Sequence, residues 1–127
     1  MSEPETISDE EAYALSYRVF WEAVSTLALD ADEQCEAMGN YNVAWELADD
    51  VSAGAYLFNS PLCSLTALQR EGIQELISAL ASIPSEVLVQ ATSAASNKRA
   101  MGHACWEPIR AKAAQVLRAL PEPDDGA

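Results

Sequence analysis

Asn42-Val43-Ala44-Trp45-Glu46-Leu47-Ala48-Asp49-Asp50-Val51-Ser52-Ala53-Gly54-Ala55-Tyr56-Leu57-Phe58 is the stretch whose reading decides the fold. Ala44, Leu47, Ala48, Val51, Ala55 and Phe58 recur at offsets 0, 3, 4, 7, 11 and 14, the period of a helix with one buried side. Asn40 or Asn42 is placed to cap it, and Asn59-Ser60-Pro61 ends it, because proline disfavours helical geometry in the residue before it. Gly54 borders the stripe, where a missing side chain admits a close helix contact.

The flanking segments carry the same signature. Upstream, Ser8-Asp9-Glu10-Glu11 reads as a capping box, in which Ser8 and Glu11 satisfy each other's free amides. Tyr13, Tyr17, Phe20, Val24 and Leu27 follow at helical spacing, with Val19 and Ala23 widening the apolar face. The acidic run 30–36 then makes a turn or a short helical extension, stopped at Gly39. Downstream, Thr66-Ala67-Leu68-Gln69 is a second capping box. Behind it Leu65, Leu68, Ile73, Leu76, Ile77 and Leu80 line an inner face that Pro84 closes. Residues 86–92 hold β-branched side chains that suit a strand, but no second strand candidate exists to pair with them. Ala91, Ala94 and Ala95 continue at helical spacing, so the segment reads as helix. Trp106, Ile109, Ala113, Val116, Leu117 and Leu120 stripe a last helix, with Pro108 in its first turn. The expected fold is all-α, a single antiparallel bundle of four to five helices over residues 1–120, with residues 121–127 as a disordered acidic tail.

With 127 residues the chain is long enough to bury a core of its own. Its 20 acidic residues against 7 basic give a formal charge of −13. The distribution is uneven: residues 1–50 hold 13 acids and one base, a balance of −12, whereas residues 98–120 hold five bases and one acid, a balance of +4. Nucleic acid and anionic membrane surfaces would be repelled by the leading half, leaving a basic protein as the partner its charge suits. Solubility alone is the other explanation of such acidity. The chain opens on Met1-Ser2-Glu3-Pro4-Glu5, without the basic start and apolar run of a secretory signal, and no stretch matches a membrane helix. A cytoplasmic protein is expected. Cys35, Cys63 and Cys105 are odd in number and widely spaced, which suits reduced, semi-buried thiols.

Chemistry-bearing constellations are sparse. Glu46, Asp49 and Asp50 fall within little more than one turn, but helical di-metal sites also draw Glu-x-x-His pairs, and none occurs here. A solvated acidic face is the better reading. His103-Ala104-Cys105 is too little for a structural zinc site or a thiol enzyme, and His103 reads as a turn residue. Phosphate-binding loops, G-x-S-x-G and H-E-x-x-H are lacking. Neither an enzyme nor a bound cofactor or metal is expected. Lys98, Arg99, Arg110, Lys112 and Arg118 lack interleaved aromatics beyond Trp106, itself assigned to the core, and can offset the acidic half within the fold.

Trp45, Asp49, Ser52 and Tyr56 run along one helix edge, bordered by Glu46 and Asp50. Two large aromatics among three acids suit a recognition surface, with the rings anchoring and the carboxylates steering. Asp30, Asp32, Glu33 and Glu36 stand just upstream and extend the negative surface. The competing reading tucks both rings under neighbouring helices and leaves only the acids in water. Together with the small, acidic, all-helical character of the chain, the stretch 42–57 resembles the immunity proteins of bacterial polymorphic toxin systems. That resemblance implies tight binding of a cognate toxin domain, often a basic nuclease, with its active cleft blocked. The role would fall on the acid and aromatic face. A helical adaptor that dimerises or docks on a larger assembly is the alternative.

Overall fold

Helix boundaries are set by local capping chemistry at some ends and by long-range hydrogen bonds at others. The computed structural model describes residues 8–88 and 91–123. Among them are six α-helices, one 3-10 helix and no strand: α1 (Asp9–Leu27), α2 (Ala31–Ala37), α3 (Val43–Ser52), a 3-10 segment (Ala53–Asn59), α4 (Ala67–Ala81), α5 (Ala94–Met101) and α6 (Trp106–Ala119). Residues 124–127 of the expected tail lie outside the described residues.

Both capping boxes form. The Ser8 hydroxyl accepts from the Glu11 amide at 3.1 Å, and that of Thr66 accepts from the Gln69 amide at 3.1 Å. Asp30 caps α2 by accepting from the Glu33 amide at 2.9 Å, so the acidic run 31–37 is a helix rather than a turn. Gly39 then takes a φ of +71°, with Asn40 and Asn42 also left-handed at +55° and +47°. Asparagine enters this region more readily than most residues, because its short polar side chain bonds locally.

That backbone geometry removes Asn42 from the capping role. Its side chain makes no cap bond to α3; its carboxamide oxygen accepts from the Ala91 amide at 2.8 Å, and its own amide donates to the Ala91 carbonyl at 2.7 Å. Asn97, fully buried on α5, completes the junction. Its oxygen accepts from the Val43 amide at 2.8 Å, and its nitrogen lies 2.8 Å from each of the carbonyls of Asn40, Ala91 and Ser93.

The same bonds correct the expected helix at 86–95. Ala91 gives both its backbone polar groups to Asn42, so no helix runs through it. Residues 85–88 form turns, with the Val87 amide bonded to the Pro84 carbonyl at 2.9 Å, and α5 begins only after Ser93 caps it. The helix expected from Ala44 to Phe58 is also divided. At Ala53 it tightens to 3-10 geometry, which brings Gly54 and Leu57 inward and leaves Ala55 exposed.

Buried apolar side chains from every helix join one cluster, centred on Trp106, Leu27, Leu47, Ile73, Leu76 and Met101. α1 packs on α3 and α6, and α6 also packs on α4. The Tyr17 hydroxyl donates to the Pro121 carbonyl, and Gln69 Nε2 donates to the Ala119 carbonyl at 2.9 Å, fixing the end of α6. Two residues expected inside lie outside: Val19 is 54% exposed and Leu68 78%. Each stands five positions before a fully buried residue, Val24 and Ile73, and so about 140° round the helix from it.

Gly54 is required by contact. A Cβ there would lie 2.3 Å from Phe20 Cε1, inside a core ring. Gly54→Ala should therefore lower the unfolding free energy by about 1–3 kcal/mol in urea titrations. That loss should largely vanish in a Phe20→Ala background, where the obstructing ring is gone. Asn97→Ala strands the Val43 amide and the Asn40 carbonyl, while the carbonyls of Ala91 and Ser93 keep backbone donors, and it should cost about 2 kcal/mol by the same measurement. Amide exchange at Val43 should accelerate with it.

Candidate protein-binding face

The Asn42–Asn97 junction fixes how α3 enters the fold, and thereby which side it shows to water. Val43, Ala44, Leu47 and Val51 are buried, Trp45 and Asp49 are exposed on the opposite side, and Glu46 and Asp50 stand half-buried at the flank. Trp45 is 47% exposed and Tyr56, on the 3-10 segment, 75%. Neither ring is tucked beneath a neighbouring helix. Trp106 is fully buried, as its place in the stripe of α6 suggests.

The row of Trp45, Asp49, Ser52 and Tyr56 does not survive intact. From Ala53 each residue advances about 120° instead of about 100°, so Tyr56 swings away from the line that Trp45 begins. It comes instead to a groove of about 710 Å³ between α1 and the 3-10 segment, where Asp50 also stands. The structure thus brings Asp50 and Tyr56 together at the groove and leaves Trp45 beyond its lining. Leu15 and Val19 form the other wall. Sequence reasoning missed Leu15 and assigned Val19 to the core; the available signal was an apolar arc on α1 wider than one packed side requires.

The carboxylates of α3 crowd one another. Burial pushes the Asp50 carboxyl above its ordinary range, and the negative charges of Glu46 and Asp49 push it further. Among the described residues no ion pair reaches Glu46, Asp49 or Asp50. The α2 acids stand apart from them, because α2 packs chiefly on α5. Asp30 serves as the α2 cap, Asp32 meets Lys98 at 3.4 Å, and Glu33 and Glu36 are exposed.

The basic residues near the carboxy end therefore offset little of this charge. Lys112 pairs with Glu75 on α4. Arg110 is half-buried and donates through Nε and Nη2 to Gln34 Oε1, at 3.1 and 2.8 Å, and through Nη2 to the Met101 carbonyl. Burial lowers its pKa, and the nearby charge of Asp30 works against that shift.

His103 is exposed in the turn between α5 and α6, its Nδ1 accepting from the Cys105 amide at 3.0 Å. Cys35, Cys63 and Cys105 are free thiols, and burial raises the pKa of Cys35 and of Cys105. Among the described residues no group of three or more His, Cys, Asp or Glu could hold a metal ion, and no helix is long and apolar enough to cross a membrane.

Comparison with known proteins finds no family model, no curated protein and no solved structure that matches the chain.

Proposed function

We propose that the chain is a non-catalytic binding protein of the immunity type, which captures a basic toxin domain, such as a nuclease, and occludes its active cleft. The supporting observation is the exposure of Trp45 and Tyr56 beside three carboxylates, Glu46, Asp49 and Asp50, to which Lys98, Arg110 and Lys112 are not paired. Exposed aromatics supply affinity when a partner desolvates them. Carboxylates steer a cationic surface into encounter and turn away anionic ones. Asp30, Asp32, Glu33 and Glu36 add a second negative patch, weakened at Asp32 by Lys98. The three free thiols suit the reducing cytoplasm, where such a protein would guard its own cell.

A self-associating adaptor built as an antiparallel bundle is the second reading, favoured by the exposed Leu15 (56%) and by Val19 beside it. The two readings respond oppositely to salt. A copy carrying −13 binds another copy better as salt rises, whereas a cationic partner binds worse.

The decisive experiment captures the basic domain from the native host with the tagged chain and follows the purified pair kinetically. Asp49→Asn with Asp50→Asn should slow association about three- to tenfold at low salt and flatten its salt dependence. Unchanged association would remove the steering role. Trp45→Ala should speed dissociation about tenfold while leaving stability within about 0.5 kcal/mol. A thermal transition lowered by several degrees would return Trp45 to a structural role, and recovery of only a salt-strengthened homodimer would favour the adaptor.

A further inference from the structure

The groove beside α1 is shaped for a particular kind of segment. Gly54 lies against the Phe20 ring, and residues from Gly54 to Leu62 line the groove together with α1 residues from Phe20 back to Asp9. The α1 lining extends from Asp9 to Phe20, about 16 Å at the helical rise. Leu15 and Val19 face Tyr56 and Leu62 across it. Two acids line it: Asp9, the first residue of α1, and Asp50, one turn before the Gly54 that packs on Phe20. The site is therefore an apolar trough, three helical turns long, lined by two carboxylates.

We propose that this groove receives a basic amphipathic helix of about three turns from the partner, with apolar residues one turn apart and a lysine or arginine near each end. The inference rests on the reading of the chain as a binder of a basic domain, and it names the part of that domain that anchors. Charge complementarity selects the occupant. The two terminal segments outside the described residues carry the wrong sign: 1–7 holds Glu3 and Glu5, 124–127 holds Asp124 and Asp125, and neither contains a lysine or arginine. A second copy would bring another −13 against Asp9 and Asp50. A helix presents side chains at i, i+4 and i+7 along one edge, the spacing such grooves accept.

Two synthetic twelve-residue helical peptides test it against the full-length protein. Both carry leucines at i, i+4 and i+7; one ends in lysine and arginine, the other in glutamates. Fluorescence anisotropy should give the basic peptide an affinity at least about tenfold above the acidic one, and added salt should close the gap. Methyl shifts should gather on Leu15, Val19, Leu57 and Leu62. Leu15→Gln with Val19→Gln should weaken the basic peptide about tenfold with the melting temperature kept, and Tyr56→Ala should do the same from the opposite wall. Equal affinity for the two peptides, no binding at about 1 mM, or shifts gathered elsewhere would overturn the proposal. So would a cross-peak between Ile7 and the groove methyls in the free protein, which would make the chain its own occupant. Should neither peptide bind while Trp45→Ala still releases the captured domain, the groove assignment falls and the binding reading stands. Should the basic peptide bind while no basic domain is captured, the proposed function falls and the groove remains a site for cationic helices.

Discussion

The carboxamide of Asn97 ties three distant segments of backbone together, the start of α3, the loop at Asn40 and the stretch of chain that leads into α5. It is fully buried, accepts from the first amide of α3 and faces three carbonyls with its nitrogen. A helix start leaves amides without intrahelical partners, and here the orphan at Val43 is satisfied from a residue 54 positions away. Asn42, held left-handed, pairs with Ala91 through both backbone and side chain. The start of α3, the segment before α5 and α5 itself are thereby fixed as one unit. A buried polar network of this kind tolerates few alternatives, since any slip leaves several groups unpaired in a low-dielectric interior. The rotation of α3, and hence the outward placement of Trp45 and Asp49, follows from it.

A second polar junction occupies Arg110. Gln34 is fully buried; its Nε2 donates to the Leu27 carbonyl at 2.8 Å, and its Oε1 takes both bonds from Arg110. Arg110 thus spends its donors on neutral acceptors from α2 and the end of α5 while stitching α6 to both. A guanidinium held this way keeps its charge but cannot reach across to α3. Lys98 and Lys112 are drawn to Asp32 and Glu75. None of these three side chains is paired with the carboxylates of α3.

What was legible in the sequence is what adjacent residues decide. Ser8 with Glu11 and Thr66 with Gln69 are codes three residues apart, and each marks a helix start. The stop at Gly39 and the burial of Trp106 follow from backbone freedom and apolar periodicity. The failures are set by distant partners. Nothing near Ala91 says that Asn42 will take its amide and carbonyl, so the helix through 86–95 was a fair local reading with the wrong outcome. The tightening at Ala53 comes where Gly54 meets Phe20; the close contact was legible in the missing side chain, but its partner, 34 positions away, was not. Tyr56 changes its place on the surface because of that tightening. Val19 and Leu68 belong to the edge of an apolar arc rather than its centre, a distinction that periodicity alone does not make. In the candidate face the acids were legible by type, while the partition between a groove and a separate Trp45 was not.

An acidic composition can serve solubility and recognition at once, because one set of charges governs both. Leu15, Val19, Tyr56 and Trp45 leave apolar surface in water, and groups of this kind promote association between copies. Carboxylates around them, with a chain charge of −13, oppose that association. Within a Debye length of about 8 Å the same carboxylates attract a cation as strongly as they repel an anion. A negatively rimmed apolar trough is thus protected from its own kind and open to the opposite kind, by one set of side chains. Neutralising those acids would remove the repulsion between copies and the attraction for cations together.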